Sequence, residues 1–144
     1  MGRTIFVAGA LALGIGVALA QANVIAQRQE LMKQNNAGFR TVARMLRGQA
    51  PFDLAQVQAA LQNFAQVGQQ FPTLFPDDSK TGGDTRALPA IWANKADFTA
   101  LALKLSQDAQ AAMATIRDEA SFRTEMPKVL QTCDACHDKY RRPT

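Results

Sequence analysis

The chain has 144 residues, with 16 Lys and Arg against 12 Asp and Glu, two Cys and a single His. That length supplies the core of one domain rather than two. A net charge of +4, with no dense basic cluster, gives no case for a nucleic-acid partner. Two Cys exclude a multi-disulfide scaffold, and one His excludes a three-histidine zinc site.

Residues 1–20, MGRTIFVAGALALGIGVALA, carry Arg3 as their only charge, and Ile5 to Ala20 is an unbroken apolar and Gly run. Ala18-Leu19-Ala20 is a small-x-small cleavage pattern, with Ala20-Gln21-Ala22 as a second. The run is short of the roughly 20 apolar residues that span a bilayer. The expectation is a signal peptide over 1–20, cleaved near Ala20 or Ala22, and a mature domain over 21–144 in the periplasm. Two Cys sent to an oxidising compartment must be paired, ligated or covalently capped.

Apolar positions recur at helical spacing from Val24 to Leu46, through Leu31, Phe39, Val42 and Met45. Gly48 and Pro51 stop that helix. Asp53 and Gln56 form a capping-box pattern for a second helix carrying Leu54, Val57, Leu61, Phe64 and Val67, which ends before Phe71-Pro72. Residues 71–93 hold Pro72, Pro76, Pro89 and Gly82-Gly83 and keep no period. A connection that long is usually functional. Asn94, with Asp97 three residues on, reads as the cap of a third helix running through Phe98, Leu101, Leu103, Leu105, Ala109 and Met113. Asp118 and Glu119 mark a break, and Ser121 opens a fourth helix that reaches about Arg141. Pro127 sits awkwardly there unless the helix starts beside it. With no alternating strand pattern, the fold class is all-α: an antiparallel four-helix bundle.

Cys133-Asp134-Ala135-Cys136-His137 is CxxCH, the haem c attachment motif. Positions i, i+3 and i+4 share a helix face, so both sulfurs and the imidazole can meet one side of one macrocycle. Thioethers from Cys133 and Cys136 tether the porphyrin, and His137 is the proximal iron ligand. Met126, Leu130 and Tyr140 extend the stripe, placing the haem near the C-terminal helix against the bundle interior. A thioredoxin-like pair would need a βαβ context, and a zinc site would need further Cys or His. As the only histidine, His137 rules out bis-His ligation, so the sixth position is empty, taken by Met or taken by an exogenous ligand.

A C-terminal CxxCH on the last helix of such a bundle resembles the class II c-type cytochromes, the cytochrome c′ family. Further landmarks are similar: Arg28-Gln29-Glu30-Leu31-Met32-Lys33 in the first helix, Gly48 to Asp53 in the first turn, Leu74-Phe75-Pro76 and Ile91-Trp92 in the crossover, and CDACHDKYR over 133–141. The resemblance implies one covalent haem c on Cys133 and Cys136 with His137 axial. It also implies that Arg28 and Gln29 approach the haem edge and propionates, that Asp84 contacts haem from the loop, and that Arg141 lies beside the imidazole. Met32 falls over the distal face, as sixth ligand or as distal cap.

Two functions follow from Met32. With its sulfur on iron, the haem is low-spin and the protein is a one-electron carrier serving a redox partner protein. With Met32 only packing, the iron is five-coordinate and an apolar distal pocket admits NO or CO. The first reading is preferred, because LMK followed by Gln34-Asn35-Asn36 is similar to the Met-ligated branch of the family. No distal acid–base pair is evident, so an enzyme is not expected. The resemblance also permits a homodimer through the first two helices.

Overall fold

In a computed structural model, residues 11–143 are described, with side chains from Asn23 onward. Four long helices make the bundle: α1 (Leu11–Leu46), α2 (Leu54–Gln70), α4 (Lys95–Thr115) and α5 (Glu119–Tyr140). A short α3 (Ala90–Ala93) and 3-10 turns at Phe71–Leu74 and Asp77–Ser79 order the crossover between α2 and α4. The only strand-like pairing among the described residues is one antiparallel bridge, Ala87 to Arg141. None of the described helices is long and apolar enough to cross a membrane.

The first helix starts earlier than the expected Val24, because nothing between Leu11 and Val24 breaks it. Residues 1–10 of the expected signal peptide lie outside the described residues, and Ala20 and Ala22 fall within the backbone of α1. Its C-terminus is where the sequence puts it. Gly48 takes φ 70, a left-handed conformation, and its N–H reaches the Met45 carbonyl at 3.0 Å. Asp53 caps α2 as expected, accepting from the Gln56 backbone N–H at 3.0 Å and from the Gln56 side chain at 2.9 Å.

Two expectations are corrected at the start of α4. The Asn94 side chain does not cap; its amide turns back to the Ala90 carbonyl at 3.2 Å, serving α3 instead. Asp97 therefore has no box to complete and reaches across to α5. Leu103, expected on the buried stripe, is 41% exposed, while Ala102 and Leu105 face inward. At α5 the cap is Asp118, with Ser121 as its third residue completing a reciprocal box, so the helix opens at Glu119. Pro127 lies inside α5 with its ring exposed. Phe122, Met126 and Val129 are buried on the opposite side and carry the helix past it.

The core has two parts. At one end Val42, Met45, Val57, Leu61, Phe64, Leu105, Ile116, Phe122 and Met126 fill the bundle. At the other, Phe75, Ile91, Phe98 and Tyr140 form an aromatic cluster under the crossover. Helices α2 and α4 approach closely at Gly68, where an added Cβ would lie 2.6 Å from the Ala102 carbonyl oxygen and 2.7 Å from the Ser106 nitrogen. Both neighbours are backbone and cannot step aside. Ala is ordinarily better than Gly in a helix by about 1 kcal/mol, but overpacking costs about 1–3 kcal/mol. Gly68→Ala is expected to destabilise the protein, read as a lower midpoint in urea unfolding.

Candidate functional site

The last three turns of α5 carry Cys133, Cys136 and His137, all half-buried, on the side of the helix that faces a cavity of about 720 Å³. Both cysteines are free. Burial pushes each thiol up to about 11, which is the opposite of the lowered value that marks a reactive thiolate. His137 is held below its ordinary value, first by burial and then by the Arg141 guanidinium. A neutral imidazole keeps a lone pair, the form in which histidine ligates a metal. No cluster of three His, Cys, Asp or Glu side chains among the described residues could hold a metal ion by itself.

Helix α1 forms the facing wall, with Arg28, Gln29, Met32 and Asn35 lining the same cavity. Arg28 is 4% exposed, and each of its three guanidinium nitrogens donates to the crossover. Nε donates to the Leu74 carbonyl at 2.6 Å, one terminal nitrogen to the Ser79 carbonyl at 3.2 Å, and the other to the Ser79 hydroxyl. The group also stacks over Phe75, 4.0 Å from the ring centroid, and lies 5.5 Å from Trp92. Burial lowers the Arg28 pKa to about 10. Gln29, exposed at the rim, donates to the Asp84 backbone carbonyl at 2.8 Å. The Asp84 main chain is thus tied to α1, and the residue is exposed. Met32 is half-buried.

A second fastening closes the far edge. The Leu88 N–H donates to the Tyr140 carbonyl at 3.0 Å and the Arg142 N–H to the Arg86 carbonyl at 2.9 Å. Arg86 and Arg142 side chains add bonds to the Arg142 and Thr85 carbonyls. Tyr140, buried against Phe98 at a centroid distance of 5.3 Å, donates its hydroxyl to Asp97 at 2.5 Å. That bond raises the Tyr140 pKa to about 12, and together with Lys139 it lowers the Asp97 pKa.

The donor set and the space fit haem c. Two unpaired sulfurs and one imidazole share a helix face, and the cavity falls in the roughly 300–1,000 Å³ range of cofactor sites. Its walls offer Phe71, Phe75, Phe98, Leu101 and Leu105 to an apolar ring, with a buried cation at the side. Residues 23–141 match the model of the family described as Cytochrome C′. The chain is 48% identical to a cytochrome c′ of Rhodopseudomonas palustris, over 96% of its own length and 95% of the relative's. It is 31% identical to a cytochrome c-556 of the same organism, over 96% of each chain. The chain belongs to the cytochrome c′ family. Among solved structures, the R. palustris cytochrome c′ superposes with a TM-score of 0.82 at 48% identity, covering 84% of this chain and 97% of that one. This protein is therefore a monohaem c-type cytochrome, with haem c as its cofactor.

All seven residues singled out from the sequence, Arg28, Gln29, Met32, Asp84, Cys133, Cys136 and His137, line one cavity, as does Arg141. Arg28 is not the solvated helix charge that composition would suggest. Three further roles were not read from the sequence. Ser79 is fully buried under Arg28, Asp97 anchors Tyr140, and Asn35 puts a buried amide on a wall expected to be apolar. Only Asn35 left a signal, as a poor helix former one turn beyond Met32. Arg28→Lys replaces a planar fork by a point charge and strands the Leu74 and Ser79 carbonyls. A loss of about 2 kcal/mol in urea unfolding is expected, with faster proteolysis of the 71–93 crossover.

Proposed function

We propose that the protein is a periplasmic one-electron carrier whose haem is tethered by Cys133 and Cys136, with His137 and Met32 as its two axial ligands. One observation carries this reading. The sulfur-bearing residues that line the cavity are Cys133, Cys136 and Met32. Once two thioethers hold the ring, Met32 is the remaining soft donor, and it stands on α1, across the cavity from the helix of His137. When bound, haem c supplies an iron that passes between ferric and ferrous states by one electron.

The protein's own groups fit that task. The neutral His137 ring supplies one strong nitrogen donor, and the Met32 thioether favours the ferrous state and so raises the potential. The Tyr140–Asp97 bond and the bridge from Ala87 to Arg141 hold the end of α5 against the crossover, so the attachment helix keeps one position through the redox cycle. Arg28 sits where a cofactor carboxylate would relieve a buried cation. The periplasmic location rests on the apolar N-terminal run with its small-x-small pattern and on a motif that is matured after export.

The Cys133→Ala, Cys136→Ala double variant is expected to release its pigment into acid acetone, whereas the parent protein keeps it. The visible spectrum tests the iron's sixth position. A sharp reduced α/β pair unaffected by CO is expected, converting to a broad high-spin spectrum in Met32→Ala. A parent spectrum that is already high-spin and sharpens at once with CO would overturn Met32 ligation and give the site to NO or CO binding.

A further inference from the structure

Charge is spread unevenly over this protein. From Leu31 to Pro76 the chain holds Lys33, Arg40, Arg44 and Arg47 against one acid, Asp53, so this stretch carries +3 of the net +4. Asp53 is engaged in capping α2, and α2 itself has no charged residue. The four cations recur at i, i+7, i+11 and i+14, so at about 100° per residue they form one stripe, roughly 20 Å long. All four are exposed, and the buried Arg28, Asn35 and Val42 occupy the opposite side of the helix. On α4 and α5, Lys104, Arg123 and Lys128 each hold a carboxylate at 2.7–2.8 Å. On the stripe only Lys33 has one, 3.7 Å away on Glu30. Arg40 and Arg44 make no hydrogen bond or ion pair with any described residue. The helix dipole favours a cation in the last turn, which explains Arg44 but not Arg40, six residues from the end of α1.

We propose that this face of α1 and α2 is the docking surface for a carboxylate-bearing protein partner, with Arg40 and Arg44 at its centre. Charge decides the occupant. A two-fold dimer sets a face against its own copy. Here that would bring cations against cations, with α2 offering an acid to neither side. A lipid surface takes a helix that has large apolar side chains to insert. The exposed residues beside the stripe are instead Gln34 and Ala37 on α1 and Gln56, Ala59 and Gln62 on α2. Phe39, the exposed large apolar residue of α1, lines the haem cavity. Amides suit the polar rim of a protein interface, and a row of cations steers an acidic partner from a distance. Lys33, at one end of the stripe, also lines the cavity of Cys133, Cys136 and His137, so a partner seated here stands against the α1 wall of the haem site. That the partner is a redox protein rests on the electron-carrier reading, whereas its acidic docking is detectable whichever ligand the iron takes.

The experiment uses the matured holoprotein and two double variants. Arg40→Gln with Arg44→Gln removes the centre of the stripe, and Lys104→Gln with Lys128→Gln removes the same charge from α4 and α5. The probe is fluorescently labelled poly-L-glutamate, followed by anisotropy at low ionic strength. The arginine variant is expected to bind it about tenfold more weakly than the parent, and the lysine variant to stay within about twofold of the parent. The difference is expected to vanish near 1 M salt, where charges are screened beyond about 3 Å. Equal losses in the two variants, or no loss in the arginine variant, would overturn the proposal. Sedimentation equilibrium and flotation with phosphatidylglycerol vesicles, both at physiological ionic strength, test the other occupants. The parent is expected to be a monomer and to stay free of the vesicles. A dimer that changes on replacing Arg40 and Arg44, or vesicle binding that requires them, would overturn the acidic protein partner. Arginine-dependent probe binding with a high-spin, CO-sensitive spectrum would keep the docking surface and overturn Met32 ligation. A low-spin spectrum without arginine-dependent binding would do the reverse.

Discussion

The guanidinium of Arg28 lies 4.0 Å over the Phe75 ring and gives its hydrogen bonds to two carbonyls and a hydroxyl of the crossover, 46 and 51 residues away in the chain. A buried cation is costly unless it is well bonded, and here aromatic faces and oxygen acceptors surround it. Its presence fixes more than one helix. The turns at Phe71–Leu74 and Asp77–Ser79 take their places from it, Phe75 is held in the aromatic cluster, and the loop beyond is delivered to Gln29 at Asp84 and to the C-terminus at Ala87. Without that anchor a segment with three prolines and a Gly-Gly pair has little reason to hold a cavity wall in place.

Helix α5 solves a different problem. It presents two cysteines and a histidine at i, i+3 and i+4 while carrying a proline in its interior. The Asp118–Ser121 box starts it firmly, and the buried Phe122, Met126 and Val129 keep it on the bundle through Pro127. Its last turn is then tied twice, by the Tyr140 hydroxyl to α4 and by main-chain bonds to the crossover. Two neighbouring elements thus hold the end that bears the chemistry. Rigid support of this kind keeps the three side chains of the motif in one place.

What the sequence made legible was local. The Asp53–Gln56 cap and the Gly48 stop depend on neighbours within about one turn, and each is found as read. What it did not make legible depends on distant partners. Nothing near Arg28 announces Ser79, and Asp97 imitates a capping acid while its actual partner, Tyr140, is 43 residues on. Leu103 satisfies an apolar count but falls on the wrong side of α4, because the 3.6 period places Ala102 and Leu105 inward. Pro127 was ambiguous because packing, not propensity, decides whether a helix runs through it.

The two fastenings of the crossover have a consequence for the order in which the molecule assembles. Contacts between α1 and α2, and between α4 and α5, join segments adjacent in the chain and close at small entropic expense. The Arg28–Ser79 bonds span 51 residues, and Arg86 to Arg142 spans 56. Such long-separation contacts form late in folding and are favoured sites of first opening. The bundle end is therefore the early, persistent unit, and the cavity end is a late-closing one. A late-closing cavity leaves Cys133 and Cys136 open to solvent while the chain folds, and the crossover covers them last.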